Sequence, residues 1–159
     1  MKKSLRLLHS APDGKSIHFR LQSEGDGTIA WLSLIVPALF AMKHGNVLLI
    51  DEIDASLHPR MTAILIALFK DRQINAGHGQ LIFTSHDTSL LGRLVGDQLE
   101  PHEVWFTEKG SDGAATLYSL DEFTVRKDDN IERRYLQGRY GAVPMVDMNE
   151  IRQALLDAC

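Results

Sequence analysis

Two polar runs stand directly behind apolar ones, and their residue types could do phosphate chemistry. Val47-Leu48-Leu49-Ile50 ends in Asp51-Glu52, and Leu81-Ile82-Phe83 ends in Thr84-Ser85-His86-Asp87. A strand buried on both faces delivers its tip rigidly, so two consecutive carboxylates there point to different places. In nucleoside triphosphate hydrolysis the first can hold Mg²⁺, directly or through water, while the second orients and deprotonates the attacking water. The plainer reading of Asp51-Glu52 is that it ends a strand and caps the next loop. His86 can donate to a phosphate oxygen in either neutral tautomer or when charged. Its plainer reading is a loop histidine that caps the helix after it. A third run, Ser23-Glu24-Gly25-Asp26-Gly27-Thr28, precedes a long apolar stretch. Its amides could face an anion, because helix N-termini carry unpaired N–H groups and the positive end of the dipole. It could also be a simple glycine turn.

The elements that must position these runs follow from periodicity. Ser16 to Leu21 alternates, with Ile17, Phe19 and Leu21 on one face, which predicts a half-buried strand. Thr28 or Asp26 is placed to cap a helix to about Lys43 with Gly45 as its stop, and Pro37 should bend or break it. Val47–Ile50 reads as a buried parallel strand, Pro59 as the first turn of a helix from Arg60 to about Asn75, and Leu81–Phe83 as a second buried strand. Strand, helix, strand at this length is a βαβ unit, and ligands of open α/β sheets bind at the carboxyl ends of the strands. Further on we expect a short helical stretch at 90–95, a hairpin of 102–107 with 115–118 and a charged irregular segment up to Pro144. An amphipathic helix over 148–156 ends the chain.

Asp51-Glu52-Ile53-Asp54-Ala55-Ser56-Leu57-His58-Pro59 resembles the Walker B and D-loop run of ABC-type ATPases, in the branch of bacterial AAA-like ATPases related to the overcoming-lysogeny-defect and DNA-repair groups. Thr84-Ser85-His86-Asp87 looks like that family's switch-histidine run. The resemblance implies Asp51 as the Mg²⁺ ligand, Glu52 as the general base and His86 on the γ-phosphate. Ser56, Leu57 and His58 would form a D-loop at a dimer interface. Gly25, Asp26, Gly27 and Thr28 would contact ATP bound by the opposite subunit, although Gly25 stands where the family's serine usually does and Ser23 falls two residues early. Tyr118-Ser119-Leu120 and the run from Tyr135 to Pro144 are similar to the tail of AAA-like ATPases linked to phage resistance and abortive infection. The implied fold is α/β, a partial P-loop NTPase sheet of ABC or RecA-like type flanked by helices, with a small C-terminal hairpin and helix, residues 1–159 forming one domain.

The sequence also lacks a part of that machinery. Gly14-Lys15-Ser16 imitates the end of a Gly-x-x-x-x-Gly-Lys-Ser/Thr loop, but the first glycine falls on His9 and the following residues read as strand. The chain therefore looks like a truncation, a split gene or a deliberately shortened protein. Mg²⁺ and ATP are expected only together with a complementary half that bears a P-loop, and the partner is that half or a second copy. An effector nuclease or toxin subunit is a further expected partner. The rival reading is a non-catalytic interaction or regulatory domain that keeps the ATPase fold.

Composition narrows the classes. The 159 residues carry a net charge of −4, so no global basic field recruits nucleic acid, and between Asp121 and Gly141 basic and acidic residues balance. The uncharged run Ile29–Met42 is fourteen residues long, short for a membrane span. The single cysteine, Cys159, cannot form an internal disulfide. These features fit a cytoplasmic protein. Seven histidines contain no His-x-x-x-His pair, and only Asp54 with His58 has helical metal-site spacing, so an independent zinc site is not expected.

Overall fold

The computed structural model describes residues 6–10, 12, 14–55, 57–93, 99–110, 112–126, 128–143 and 147–158. Two compact units make up the chain, Met1–Leu90 and Leu91–Cys159. Among the described residues the architecture is mixed α/β with three two-stranded sheets, two antiparallel and one parallel. The expected parallel sheet is thus a single pair of strands.

The first unit opens with a hairpin, β1 (Arg6–Ser10) against β2 (Ser16–Arg20), in which His9 pairs with Ile17 and Leu7 with Phe19. β1 was not anticipated, and β2 is exposed along its whole length rather than half-buried. Helix α1 spans Asp26–His44 and ends where Gly45 turns left-handed at φ 67°. It runs as one helix through Pro37. Proline cannot bond the carbonyl four residues earlier, but Ser33 and Pro37 are both exposed, so water can serve that carbonyl.

Strand β3 (Val47–Ile50) pairs in parallel with β4 (Gln80–Phe83), with Ile50 opposite Phe83. The crossover between them is helix α2 (Pro59–Lys70). Helix α2 stops five residues before the expected Asn75, because the Asp71 carboxylate accepts the amides of Gln73 at 2.7 Å and Ile74 at 3.2 Å and turns the backbone aside. Both helices serve one face of the strand pair. Ala38 and Met42 of α1, Leu65 of α2 and Ile53 form a buried cluster, against which Leu48, Ile50, Leu81 and Phe83 pack. The other face is uncovered: Leu49 is 71% exposed, and Val47 and Ile82 are exposed as well. By length and composition α1, which extends the uncharged run at both ends, could cross a membrane, yet Ala38, Ala41 and Met42 are buried inside the unit.

Three glycines let the end of α1 meet the loop into β4. A Cβ on Gly79 would lie 2.5 Å from the carbonyl oxygen of Ala41, and one on Gly77 would lie 2.3 Å from that of Met42. Gly45 faces the carbonyl oxygen of Gly77 in the same way. Backbone packed this tightly must have its polar groups satisfied, and Asn75 does so. Its amide donates to the carbonyls of Phe69 and Gly79 at 2.7 and 2.8 Å, and its oxygen accepts the Gly79 N–H at 2.7 Å.

The second unit contains the hairpin β5 (Trp105–Lys109) and β6 (Ala115–Ser119), the short helix α3 (Ile131–Leu136) and helix α4 (Met148–Asp157). Helix α3 lies in the segment expected to be irregular; the Asn130 side chain caps it by accepting from Arg133 N–H at 2.8 Å. A 3-10 turn at Thr88–Leu91 stands where a helical stretch at 90–95 was expected, and residues 94 and 95 lie outside the described ones. Val104, Phe106, Leu120 and Tyr140 form the buried cluster of this unit. The 135–143 run closes over it through two tyrosines, Tyr118 donating to the Tyr140 carbonyl at 2.7 Å and Tyr135 to the Ala142 carbonyl at 3.0 Å. Burial, and beside it the Glu108 carboxylate, hold the Tyr118 hydroxyl above its ordinary pKa, so it stays a proton donor. The structure thereby gives the tyrosine-rich run a packing role. Pro144 lies outside the described residues.

Asn75 is the polar residue on which the first unit depends most. Asn75→Ala leaves the Gly79 N–H and two carbonyls without partners, and should lower unfolding free energy by roughly 2–3 kcal/mol in urea titrations of this chain.

Candidate functional site at the tips of the parallel strands

The parallel register sets Asp51 beside Thr84, one step beyond the Ile50–Phe83 pair. Backbone bonds lock the two tips, from Thr84 N–H to the Ile50 carbonyl and from Ile53 N–H to the Thr84 carbonyl, each 3.0 Å. The Thr84 hydroxyl completes the lock, donating to Asp51 Oδ1 at 2.5 Å and accepting the Glu52 N–H at 2.8 Å. One hydroxyl thus uses both its donor and an acceptor to hold the two acidic residues. Sequence reasoning did not single out Thr84 within its run, because only the strand register shows that it faces Asp51.

Glu52 sits in the left-handed region, φ 50°. This conformation is uncommon for a residue with a Cβ and costs on the order of 1 kcal/mol or more. The Glu52 carboxylate reaches the second tip. There, His86 Nε2 lies 3.6 Å from Glu52 Oε1, with the His86 side chain 85% exposed. That separation is just beyond a direct hydrogen bond and within ion-pair distance. The ring is not used as a helix cap. The cap of the following 3-10 turn is Asp87, whose Oδ1 accepts the Ser89 N–H at 3.0 Å.

Asp54 joins the same loops from the other side. Its Oδ1 accepts the His86 N–H at 3.2 Å, and its carboxylate also takes a hydrogen bond from Ser85. Burial works against its charge, but the Ser85 hydroxyl, the amides of Asp54 and His86 and the nearby imidazole outweigh it and hold the carboxyl below the ordinary value of 3.8.

The remaining sequence candidates fall elsewhere. Leu57 is buried at 6% exposure, and His58 Nδ1 accepts the Arg60 N–H at 3.2 Å, so it caps α2 ahead of Pro59. Ser56 lies outside the described residues. Gly25, not Asp26 or Thr28, is the cap of α1; its carbonyl accepts from Thr28 at 2.9 Å and Ile29 at 3.2 Å, and no side chain caps the helix. Gly25, Asp26, Gly27 and Thr28 are all exposed. Among the described residues, no hydrogen bond or ion pair joins them to Asp51, Glu52 or His86. The turn is tied instead to β1, where His9 Nε2 meets Glu24 Oε1 at 2.7 Å.

Among the described residues no group of three or more His, Cys, Asp or Glu could hold a metal ion. Mg²⁺ does not require one, since it binds through one or two carboxylates with phosphates and waters. The hard carboxylate of Asp51, at an exposed strand tip, suits that donor set.

The depressed Asp54 carboxyl makes a testable statement about pH. A group whose folded pKa lies below its unfolded one stabilises the fold fully above the unfolded value, and that contribution is lost as pH falls through the folded pKa. Asp54→Asn should therefore be less stable than the parent at pH 6, with the difference shrinking once pH drops below 3.8. Urea midpoints measured for both proteins between pH 6 and 3 check this.

Residues 5–92, more than half of the chain, match the model of the AAA domain family described for the AbiEii toxin of a Type IV TA system. No curated protein and no solved structure matches the chain. The matched span holds both strand tips, and the chain belongs to this AbiEii toxin-type AAA family, whose domains are nucleotide-binding, ATPase-like modules.

Proposed function

We propose that this chain is the C-terminal half of an ABC-type ATPase core, carrying the Walker B and switch-histidine residues of an ATP-hydrolysing site that a P-loop-bearing half completes. The observation that carries this reading is the pair of locked strand tips, with Asp51 and Glu52 on one and His86 3.6 Å from Glu52 on the other. Asp51 would hold Mg²⁺, which when bound offsets charge on the phosphates of ATP. Glu52 accepts the proton of the attacking water, its carboxylate lying 3.6 Å from the His86 ring. His86 donates from its ring to a phosphate oxygen. The turn Gly25–Thr28 at the start of α1 serves a nucleotide held by an opposing copy, through the amides that the Gly25 carbonyl does not take, with Asp26 a negative charge that such a nucleotide must tolerate.

The uncovered sheet face supports a partner half. Strands of parallel sheets are usually covered on both sides, and here Val47, Leu49 and Ile82 are exposed. Strand alternation carries that face on to Asp51 and Thr84, so an element covering it arrives beside the metal ligand. A second copy using the same face would give the homo-oligomer, and the family match to an AbiEii toxin-type domain supports a place in phage defence beside a toxin or nuclease partner.

Three outcomes are expected. The chain alone should show no micromolar affinity for Mg·ATP by calorimetry, since it brings no P-loop amides or lysine to the phosphates. Joined to a P-loop-bearing half it should hydrolyse ATP, and Glu52→Gln should cut turnover by about 10²–10⁴-fold while leaving ATP affinity in place. Leu49→Asp should abolish association with that half in sedimentation experiments. Retention of more than a tenth of wild-type turnover by Glu52→Gln would remove Glu52 from the role of base. Absence of hydrolysis with every half tried would favour a regulatory domain that keeps the fold.

A further inference from the structure

The His86 ring is 85% exposed, so no packing holds its imidazole, and its aim toward Glu52 must come from the backbone that carries it. That backbone is fastened at one described side chain outside its own loop. His86 N–H donates to Asp54 Oδ1 at 3.2 Å, and Ser85 donates to the same carboxylate. Ser85 in turn accepts the Asp87 N–H at 3.0 Å, so the carboxylate, the hydroxyl and the amide form a relay across the histidine loop.

Asp54 is itself well anchored. It follows Ile53, which is 2% exposed and part of the core cluster, and Ala55 N–H closes the turn onto the Glu52 carbonyl at 2.9 Å. The acidic loop and the histidine loop are therefore tied twice, through Thr84 at the strand tips and through Asp54 beyond them. The Thr84 tie fixes the Glu52 backbone, and the second tie fixes the residue facing it.

We propose that Asp54 is a positioning residue, whose carboxylate holds the His86 backbone so that the imidazole faces the Glu52 carboxylate. The inference rests on the ATPase reading for its purpose but not for its geometry. An ionised carboxylate is the side chain suited to this place, because it accepts from a hydroxyl and an amide at once. An asparagine there would offer one acceptor oxygen and turn an NH₂ toward the same donors. The depressed Asp54 pKa agrees with a carboxylate kept ionised.

The test is nuclear magnetic resonance on the whole chain, unmodified and as Asp54→Ala and Asp54→Asn. In Asp54→Ala the cross-peak between the His86 ring and the Glu52 methylenes should vanish, and the His86 amide should exchange about tenfold faster. Methyl shifts of Ile53 and Leu65 should stay in place, showing an intact core. Asp54→Asn should keep part of the cross-peak, and it supplies the same readout should the alanine variant not fold. In an ATPase completed with a P-loop half, Asp54→Ala should lower kcat about 10- to 100-fold with the KM for ATP within about twofold. A full-strength cross-peak in folded Asp54→Ala would overturn the proposal, as would wild-type kcat in the completed enzyme. Loss of the cross-peak in a chain that no half activates would leave the positioning role standing and remove the ATPase reading instead.

Discussion

The side-chain hydroxyl of Thr84 is the point on which the site depends. Two parallel strands end at the same level because Ile50 and Phe83 pair, and the next residues would diverge into separate loops without a link between them. Thr84 supplies that link, with its hydroxyl bonding the carboxylate of Asp51 and the amide of Glu52, and its backbone bonding Ile50 and Ile53. A valine of the same shape would keep the strand and its backbone bonds but forfeit both side-chain bonds, leaving the Asp51 carboxylate and the Glu52 amide without that partner. The left-handed turn at Glu52 belongs to the same constraint. A strained backbone persists where its surroundings over-determine it, and the bonds at Glu52 N–H and Ile53 N–H bracket that residue.

The core beneath the tips is one-sided. Ala38, Met42, Ile53 and Leu65 fill the space between two helices and one face of the strand pair. The close approach of α1 to the loop into β4 needs glycine at 77 and 79, where any Cβ would enter a carbonyl oxygen of α1. Asn75 then satisfies the backbone that this approach removes from water. On the opposite face Leu49 and Ile82 meet solvent. An apolar sheet face ending at a carboxylate pair favours a neighbour that brings both cover and chemistry, which is why the proposed activity is assigned to an assembly.

The second unit solves a different problem. Its hairpin and short helix enclose a small aromatic cluster, with Phe106 stacked on Tyr135 and Tyr140 at centroid distances of 5.4 and 5.9 Å. The glycines at 138 and 141 turn left-handed, and a Cβ on Gly141 would meet the Tyr118 hydroxyl at 2.5 Å. The tyrosine-rich run thus reads as a strap closed by two hydroxyl bonds, in which Tyr118 and Tyr135 each give the ring to the core and donate the hydroxyl proton to a backbone carbonyl.

Much of this was present in the chain before folding. Local pattern determined β2, α1, α2, both parallel strands, the late hairpin and the last helix, because apolar period and turn residues act over a few neighbours. It also picked out Asp51, Glu52 and His86, whose types at strand ends are chemical statements in themselves. What the sequence could not fix were facts of distance and register. His58 and Leu57 read as interface residues, and the structure uses one as a helix cap and buries the other. Asp71 cut α2 short by a side-chain bond that propensity does not contain. Thr84 and Asp54 became site residues only when a crossover of some thirty residues brought the two loops together. Hydrogen bonds between loops far apart in the chain are decided by tertiary structure, because a few tenths of an ångström decide whether they form at all.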